Sequence, residues 1–234
     1  MGFSMANCYI CYEKIRKPMT WTSLFLRQPK SCICSNCEAK FAWISGETCA
    51  ICSRELDESF RREQLCLDCV RWENNPEWAG YLTKNVSLFH YNDFLKELIA
   101  KYKYRGDYAL AEVLAPFMKE CLQQAEYNLI TVIPLSKDRL QERGFNQAQA
   151  LLDVLQINST ELLMRIHTEK QSKKSRQERI NLPQIFKVKN RKAIQGKNIV
   201  IVDDIYTTGS TVRHAAKALK LAGAEKIETM TIAR

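Results

Sequence analysis

The stretch Asn198–Thr211, NIVIVDDIYTTGST, decides the fold. Ile199–Val202 are four consecutive β-branched residues with no polar alternation. Such a run is a strand buried on both faces, as in the middle of a parallel sheet. It ends in two adjacent carboxylates, Asp203 and Asp204. Thr207, Thr208, Gly209, Ser210 and Thr211 follow, and lead into Val212, Ala215, Ala216, Leu219 and Ala222 at helical spacing. In open α/β sheets, ligands bind just beyond the carboxyl ends of the strands. Free N–H groups at a helix start, with hydroxyls and a glycine, cradle a phosphate. Carboxylates would repel that phosphate but suit hydroxyls, or a magnesium ion, about one sugar's width away. The stretch therefore describes a ligand with vicinal hydroxyls at one end and a phosphate at the other, and a ribose 5-phosphate fits. An exposed Asp-Asp turn before an ordinary helix cap accounts for each part but not for their order.

Working outward, residues 81–234 read as one α/β unit. VSLFHY (Val86–Tyr91), LITVI (Leu129–Ile133), IFKV (Ile185–Val188) and KIETMTIA (Lys226–Ala233) are strand-like. Leu95, Leu98, Ile99 and Tyr102 fall at helical spacing, as do Leu110, Val113, Leu114, Phe117 and Cys121. A further helix is expected from about Lys137 to Leu155. Strands alternating with helices imply a parallel sheet with helices on both faces.

Nine of the ten cysteines lie before residue 70, which sets residues 1–75 apart as a small cysteine-rich domain. RWENNPEWAG (Arg71–Gly80) reads as the linker to the larger domain. Four C-x-x-C pairs occur: Cys8/Cys11, Cys34/Cys37, Cys49/Cys52 and Cys66/Cys69. Two such pairs supply four soft ligands in a tetrahedron, so eight cysteines make two zinc sites. All positions taken by sulfur means structural zinc. Sequential pairing gives a double zinc ribbon and closes the shorter loops. Alternate pairing gives a cross-braced module, and the spacing alone leaves both open. The start of the chain lacks the apolar core of a secretion signal, which favours a reducing cytoplasm over a disulfide framework. His90, His167 and His214 lie far from the pairs and read as surface or strand residues. Trp21, Trp43, Trp72 and Trp78 could stack a base, but suit the core of a small module.

The formal charge is +9, and no run of about 18 apolar residues exists, so no membrane insertion is expected. Between Arg165 and Lys192 there are ten Lys or Arg and two Glu. That concentration points to contact with an anion or nucleic acid.

VIVDDIYTTGST resembles the PRPP-binding motif of type I phosphoribosyltransferases. TVIPLSKDRLQERGFNQAQALL, EKQSKKSRQERINLPQIFKV and the cysteine pairs extend the likeness to the ComF family over nearly the whole chain. The resemblance implies that Asp203 and Asp204 hold the ribose hydroxyls of PRPP, with magnesium, and that Thr207–Thr211 hold its 5-phosphate. Ser136, Lys137 and Arg139 would form a pyrophosphate loop after the strand Leu129–Ile133. Lys170, Lys173, Lys174, Arg176 and Arg179 lie where the family has a loop that closes over PRPP. Either aspartate would be placed to accept a proton. RGFNQ (Arg143–Gln147) would fix the helix that follows, and KYKYRGD (Lys101–Asp107) is either a basic turn near the site or a solvated helix end. The family implies a competence protein acting in DNA uptake, with single-stranded DNA and a ComFA-type helicase-like ATPase as partners. The alternative is a phosphoribosyltransferase active on an unidentified acceptor.

Overall fold

The computed structural model describes residues 6–15, 32–166 and 185–234. The first cysteine-rich turn of helix, α1 (Ser35–Glu38), precedes a small hairpin, β1 (Arg61–Arg62) and β2 (Leu65–Cys66), and α2 (Leu67–Glu73). The larger part comprises β3 (Lys84–Phe89), α3 (Asp93–Tyr104), α4 (Leu110–Gln124), β4 (Leu129–Val132), α5 (Lys137–Arg143) and α6 (Gln147–Val154). It continues through β5 (Leu163–Arg165), β6 (Phe186–Val188), β7 (Asn198–Ile205), α7 (Ser210–Leu221) and β8 (Lys226–Ala233).

β3, β8, β7 and β4 form one four-stranded parallel sheet in that order. β7, which contains Ile199–Val202, is an inner strand. Its side chains alternate between two cores, as a strand covered on both faces must. Val200 and Val202 join Leu95, Leu98 and Ile99 of α3, Leu114 and Met118 of α4, and Leu151 of α6. Ile199 and Ile201 join Val212, Ala215, Ala216 and Leu219 of α7. The α/β parallel sheet with helices on both faces is thus observed.

Three local readings differ from the structure. The helix expected from Lys137 to Leu155 is two helices. Gly144 takes φ +80° and ends α5, and the Asn146 side chain accepts hydrogen bonds from Ala148 N at 3.0 Å and Gln149 N at 3.4 Å to start α6. The strand at Phe186–Val188 leaves the main sheet and pairs antiparallel with β5. The polar stretch Arg71–Gly80 does not behave as a free linker: Trp72 and Trp78 are each 4% exposed and meet edge-on at 5.3 Å between ring centroids. Two isolated apolar anchors in a polar stretch make no repeating pattern, so composition alone conceals them.

The cysteine-rich segment also covers the sheet edge. Ile44 N donates to Leu88 O at 2.9 Å, His90 N to Ala42 O at 2.8 Å, and Asn85 N to Ile51 O at 2.6 Å. Strand β3 therefore presents no bare edge here. Phe41 fills the gap beneath, within 4.8–5.2 Å of the rings of Phe89, Phe94 and Phe117.

Candidate functional site

The eight paired cysteines form two tetrads, Cys8/Cys11/Cys34/Cys37 and Cys49/Cys52/Cys66/Cys69, and within each the sulfurs lie within 4.8 Å of one another. Sequential pairing is therefore the observed scheme. The Cys11–Cys34 and Cys52–Cys66 Sγ separations are 3.7 and 3.5 Å. These exceed a disulfide bond of about 2.05 Å and match the edge of a tetrahedron with Zn–S of about 2.3 Å. The donor set fits a four-coordinate thiophilic ion, with no sulfur left over for chemistry. The two tetrads pack on opposite sides of the sheet. Cys8 and Cys37 belong to the core of α3 and α4, and all four cysteines of the second tetrad belong to the core of α7.

At the tip of β7, Asp203 still pairs in register with Thr231 of β8, so the sheet itself positions the carboxylates. Asp204 is 8% exposed, and Lys103 Nζ from the end of α3 lies 2.5 Å from its Oδ2. The basic turn Lys101–Asp107 thus reaches the site through Lys103. Burial pushes the Asp203 carboxyl up to about 7, the Asp204 charge adding to this and Lys103 opposing it.

Beyond the acids, the chain turns through Tyr206 to Gly209, where φ is +77°. A Cβ on Gly209 would stand 2.2 Å from Tyr206 Oη and 2.5 Å from its Cζ, so glycine is required both by the dihedral and by the space. Ser210 N donates to Thr208 Oγ1 at 3.4 Å, and α7 begins there. Thr207 is exposed, Thr208 half-buried, and Ser210 buried against the helix start.

The loop after β4 lies alongside. Val132 pairs with Val202, and Ile133 N donates to Val202 O at 3.1 Å, so residues 134–139 leave the sheet next to Asp203. Ser136 caps α5, its Oγ accepting from Arg139 N at 3.3 Å. Lys137 and Arg139 occupy the first turn of α5 and line a cleft of about 1360 Å³. The same cleft is lined by Arg143, Arg165, Lys187 and Lys189. Lys189 pairs with Glu161. Burial, with the Arg139 charge nearby, brings the Arg165 guanidinium down to about 10, while Asp203 favours its charge.

Of the residues singled out from sequence, Asp203, Asp204 and Thr207–Thr211 share the tip of β7, and Ser136, Lys137 and Arg139 stand at the neighbouring strand end. Lys170, Lys173, Lys174, Arg176, Arg179, His167 and Trp21 lie outside the described residues. RGFNQ does more than fix a helix: Asn146 Nδ2 ties back to Ile133 O at 2.9 Å, and Arg143, bonded to Gln147 Oε1 at 3.0 Å, faces the cleft. His214 is neither on the surface nor in a strand. It is fully buried on α7, edge-on to Trp78 at 4.5 Å. His90 pairs with Glu55 at 2.9 Å. Trp43 is 53% exposed, though its ring rests on Phe89 at 4.5 Å. Sequence reasoning missed Lys103 and Arg143 as individual site residues. For Lys103 the only signal was the basic turn it belongs to.

Among the described residues, no helix is long and apolar enough to cross a membrane. Residues 108–234 match the phosphoribosyl transferase domain. Competence protein ComFC of Bacillus subtilis (strain 168) is 36% identical over 240 residues, spanning 100% of this chain and 97% of that protein. Competence protein ComFC of Streptococcus pneumoniae (strain ATCC BAA-255 / R6) is 34% identical over 97% of this chain and 100% of its own length. Competence protein F of Haemophilus influenzae (strain ATCC 51907 / DSM 11121 / KW20 / Rd) is 26% identical over 88% of this chain and 91% of its own.

Proposed function

Because the chain belongs to the ComFC family of competence proteins and carries a phosphoribosyl transferase domain, we propose that it binds PRPP at the tip of β7 and acts in uptake of transforming DNA. The observation that carries this reading is the grouping of two buried-edge carboxylates, a Thr-Gly-Ser helix start and a basic loop at two adjacent strand ends. Asp203 and Asp204 take the ribose 2- and 3-hydroxyls, and the N–H and hydroxyl groups of residues 207–211 take the 5-phosphate. Ser136, Lys137 and Arg139, joined by Lys170, Arg176 and Arg179, take the pyrophosphate. The acids and pyrophosphate oxygens suit magnesium, which supplies neutralisation of the pyrophosphate when bound. Both cysteine tetrads hold structural zinc.

The cleft supports a further bound body. It opens on the Ser136–Arg139 side, with none of Asp203, Asp204 or residues 207–211 in its lining, and its volume of about 1360 Å³ exceeds the about 300–1,000 Å³ typical of a small-ligand pocket. Its cations, with the basic run 165–192, suit the phosphates of single-stranded DNA, bound in the cytoplasm with a ComFA-type ATPase as partner.

The same space favours a second reading, catalysis on an acceptor. Transfer would break the anomeric C–O bond to pyrophosphate and form a bond to the acceptor, through an oxocarbenium-like transition state. The chain's part is positioning, cationic stabilisation of the departing pyrophosphate by Lys137 and Arg139, and acceptance of the acceptor's proton by Asp203 or Asp204. Calorimetry with PRPP and magnesium tests the binding reading. Pyrophosphate release from PRPP in the presence of candidate bases or single-stranded DNA tests turnover, and binding of DNA without release sets catalysis aside.

A further inference from the structure

The Thr-Gly-Ser loop is held from behind by the second cysteine tetrad. Helix α2 starts directly after Cys66 and carries Cys69, Trp72 and Glu73 on its next turns. Trp72 Nε1 donates to Thr208 O at 3.2 Å, inside the loop itself. Arg213, in the first turn of α7, is fully buried. Its Nη1 meets Glu73 Oε1 at 2.7 Å, its Nη2 donates to Cys69 Sγ at 3.8 Å, and its guanidinium lies 5.1 Å from the Trp72 ring centroid. From the other side Arg234 stacks on Tyr206 at 5.1 Å while its Nη1 donates to Cys52 O at 2.9 Å. Thr208 and the start of α7 therefore touch residues that belong to, or lie within one turn of, the ligands of one tetrad, and Arg234 links Tyr206 to the Cys52 carbonyl of the same tetrad. The first tetrad has no comparable contact among the described residues, since it packs on the opposite face of the sheet.

We infer that the second cysteine tetrad is a positioning element of the anion site, with Trp72 and Arg213 as the positioning residues that hold residues 207–211 in their ligand-ready form. A buried guanidinium needs its partners held in place; Cys69 is held when the four sulfurs are gathered, and Glu73, on the same helix, is held with it and by Gly80 N at 2.8 Å. The carbonyl of Thr208 is tied to the indole and the Thr208 hydroxyl accepts from Ser210 N, so the turn that leads into α7 is fixed from behind. An ion in this tetrad is thus coupled to phosphate affinity, and by linkage phosphate must perturb the ion's surroundings. The inference rests on the ribose-phosphate reading of the loop.

The test uses the full-length protein loaded with cadmium in both tetrads and titrated with ribose 5-phosphate. Cadmium NMR should show one resonance, that of the Cys49/Cys52/Cys66/Cys69 centre, moving on titration while the other stays. Trp72→Phe keeps the ring but removes the donor, and should weaken ribose 5-phosphate binding about fivefold with circular dichroism unchanged. Trp43→Phe, whose ring rests on Phe89 and Phe117 away from the loop, should bind as wild type. Arg213→Lys keeps the charge without the fork, and should weaken binding by more than Trp72→Phe. If the wild type binds ribose 5-phosphate but neither cadmium resonance moves and Trp72→Phe binds normally, the coupling is wrong while the site reading stands. If the wild type binds neither ribose 5-phosphate nor PRPP, the site reading falls and this inference falls with it.

Discussion

Lys103 and Asp204, 101 residues apart in sequence, meet at 2.5 Å at the tip of the central strand. The ammonium arrives from the last turn of α3 and offsets the repulsion between two neighbouring acids. Replacing it removes the compensation and leaves Asp204, 8% exposed, without its cation. Lys103→Met should lower stability by about 1–3 kcal/mol near neutral pH. Adding Asp204→Asn should restore most of that loss. Thermal melts of the two single variants and the double variant give the coupling directly.

Asp203 gives the chain a defined pH dependence. Its carboxyl titrates at about 7 in the folded protein, against about 3.9 in an unfolded chain. Between those values the native state keeps a proton that the unfolded state has released, so this group's contribution to stability falls as pH rises from about 4 to 7 and is flat outside that window. Asp203→Asn should remove the slope. It should stabilise the ligand-free protein above pH 7, by at most about 4 kcal/mol, and change little near pH 4. Denaturant melts across that range measure it, and a variant equally stabilised at both ends would contradict the assignment.

Gly209 and Gly144 form a matched pair of left-handed glycines, at φ +77° and +80°. A side chain at Gly144 meets nothing within 4 Å, whereas one at Gly209 meets the Tyr206 hydroxyl at 2.2 Å and its ring at 2.5 Å. Gly144→Ala should cost about 1 kcal/mol from the backbone alone. Gly209→Ala should cost more and abolish sugar-phosphate binding. Tyr206→Phe should not rescue it, because the ring carbon Cζ is itself only 2.5 Å away.

The two tetrads predict close to two zinc ions per chain by elemental analysis. Chelation should unfold the segments that each holds, since gathered thiolates without a cation repel one another. Refolding should require zinc and should not be replaced by an oxidant, because no pair of sulfurs stands at bonding distance.

What the sequence displayed was local. Ile199–Val202 announced an inner strand, the acids and the Thr-Gly-Ser run followed in order, and shorter loops favoured the cysteine pairing that the structure has. What it hid depends on contacts across the chain. Trp72 to Thr208 spans 136 residues, and Arg213 to Glu73 spans 140. Neither arginine on a helix nor tryptophan in a polar stretch signals such a partner. The break at Gly144 was readable in principle, since Gly followed by a capping Asn ends one helix and starts another. The helical spacing on either side masked it.

The central claim is that the tip of β7 takes a sugar phosphate by its diol and its phosphate. Isothermal titration of PRPP with magnesium into the zinc-loaded protein tests it most directly. Saturable binding at one site per chain is expected. Asp203→Ala with Asp204→Ala should lose it, while salt-sensitive binding of single-stranded DNA persists. Binding of PRPP undiminished by removal of both carboxylates, or no heat with the wild-type protein, would contradict the account.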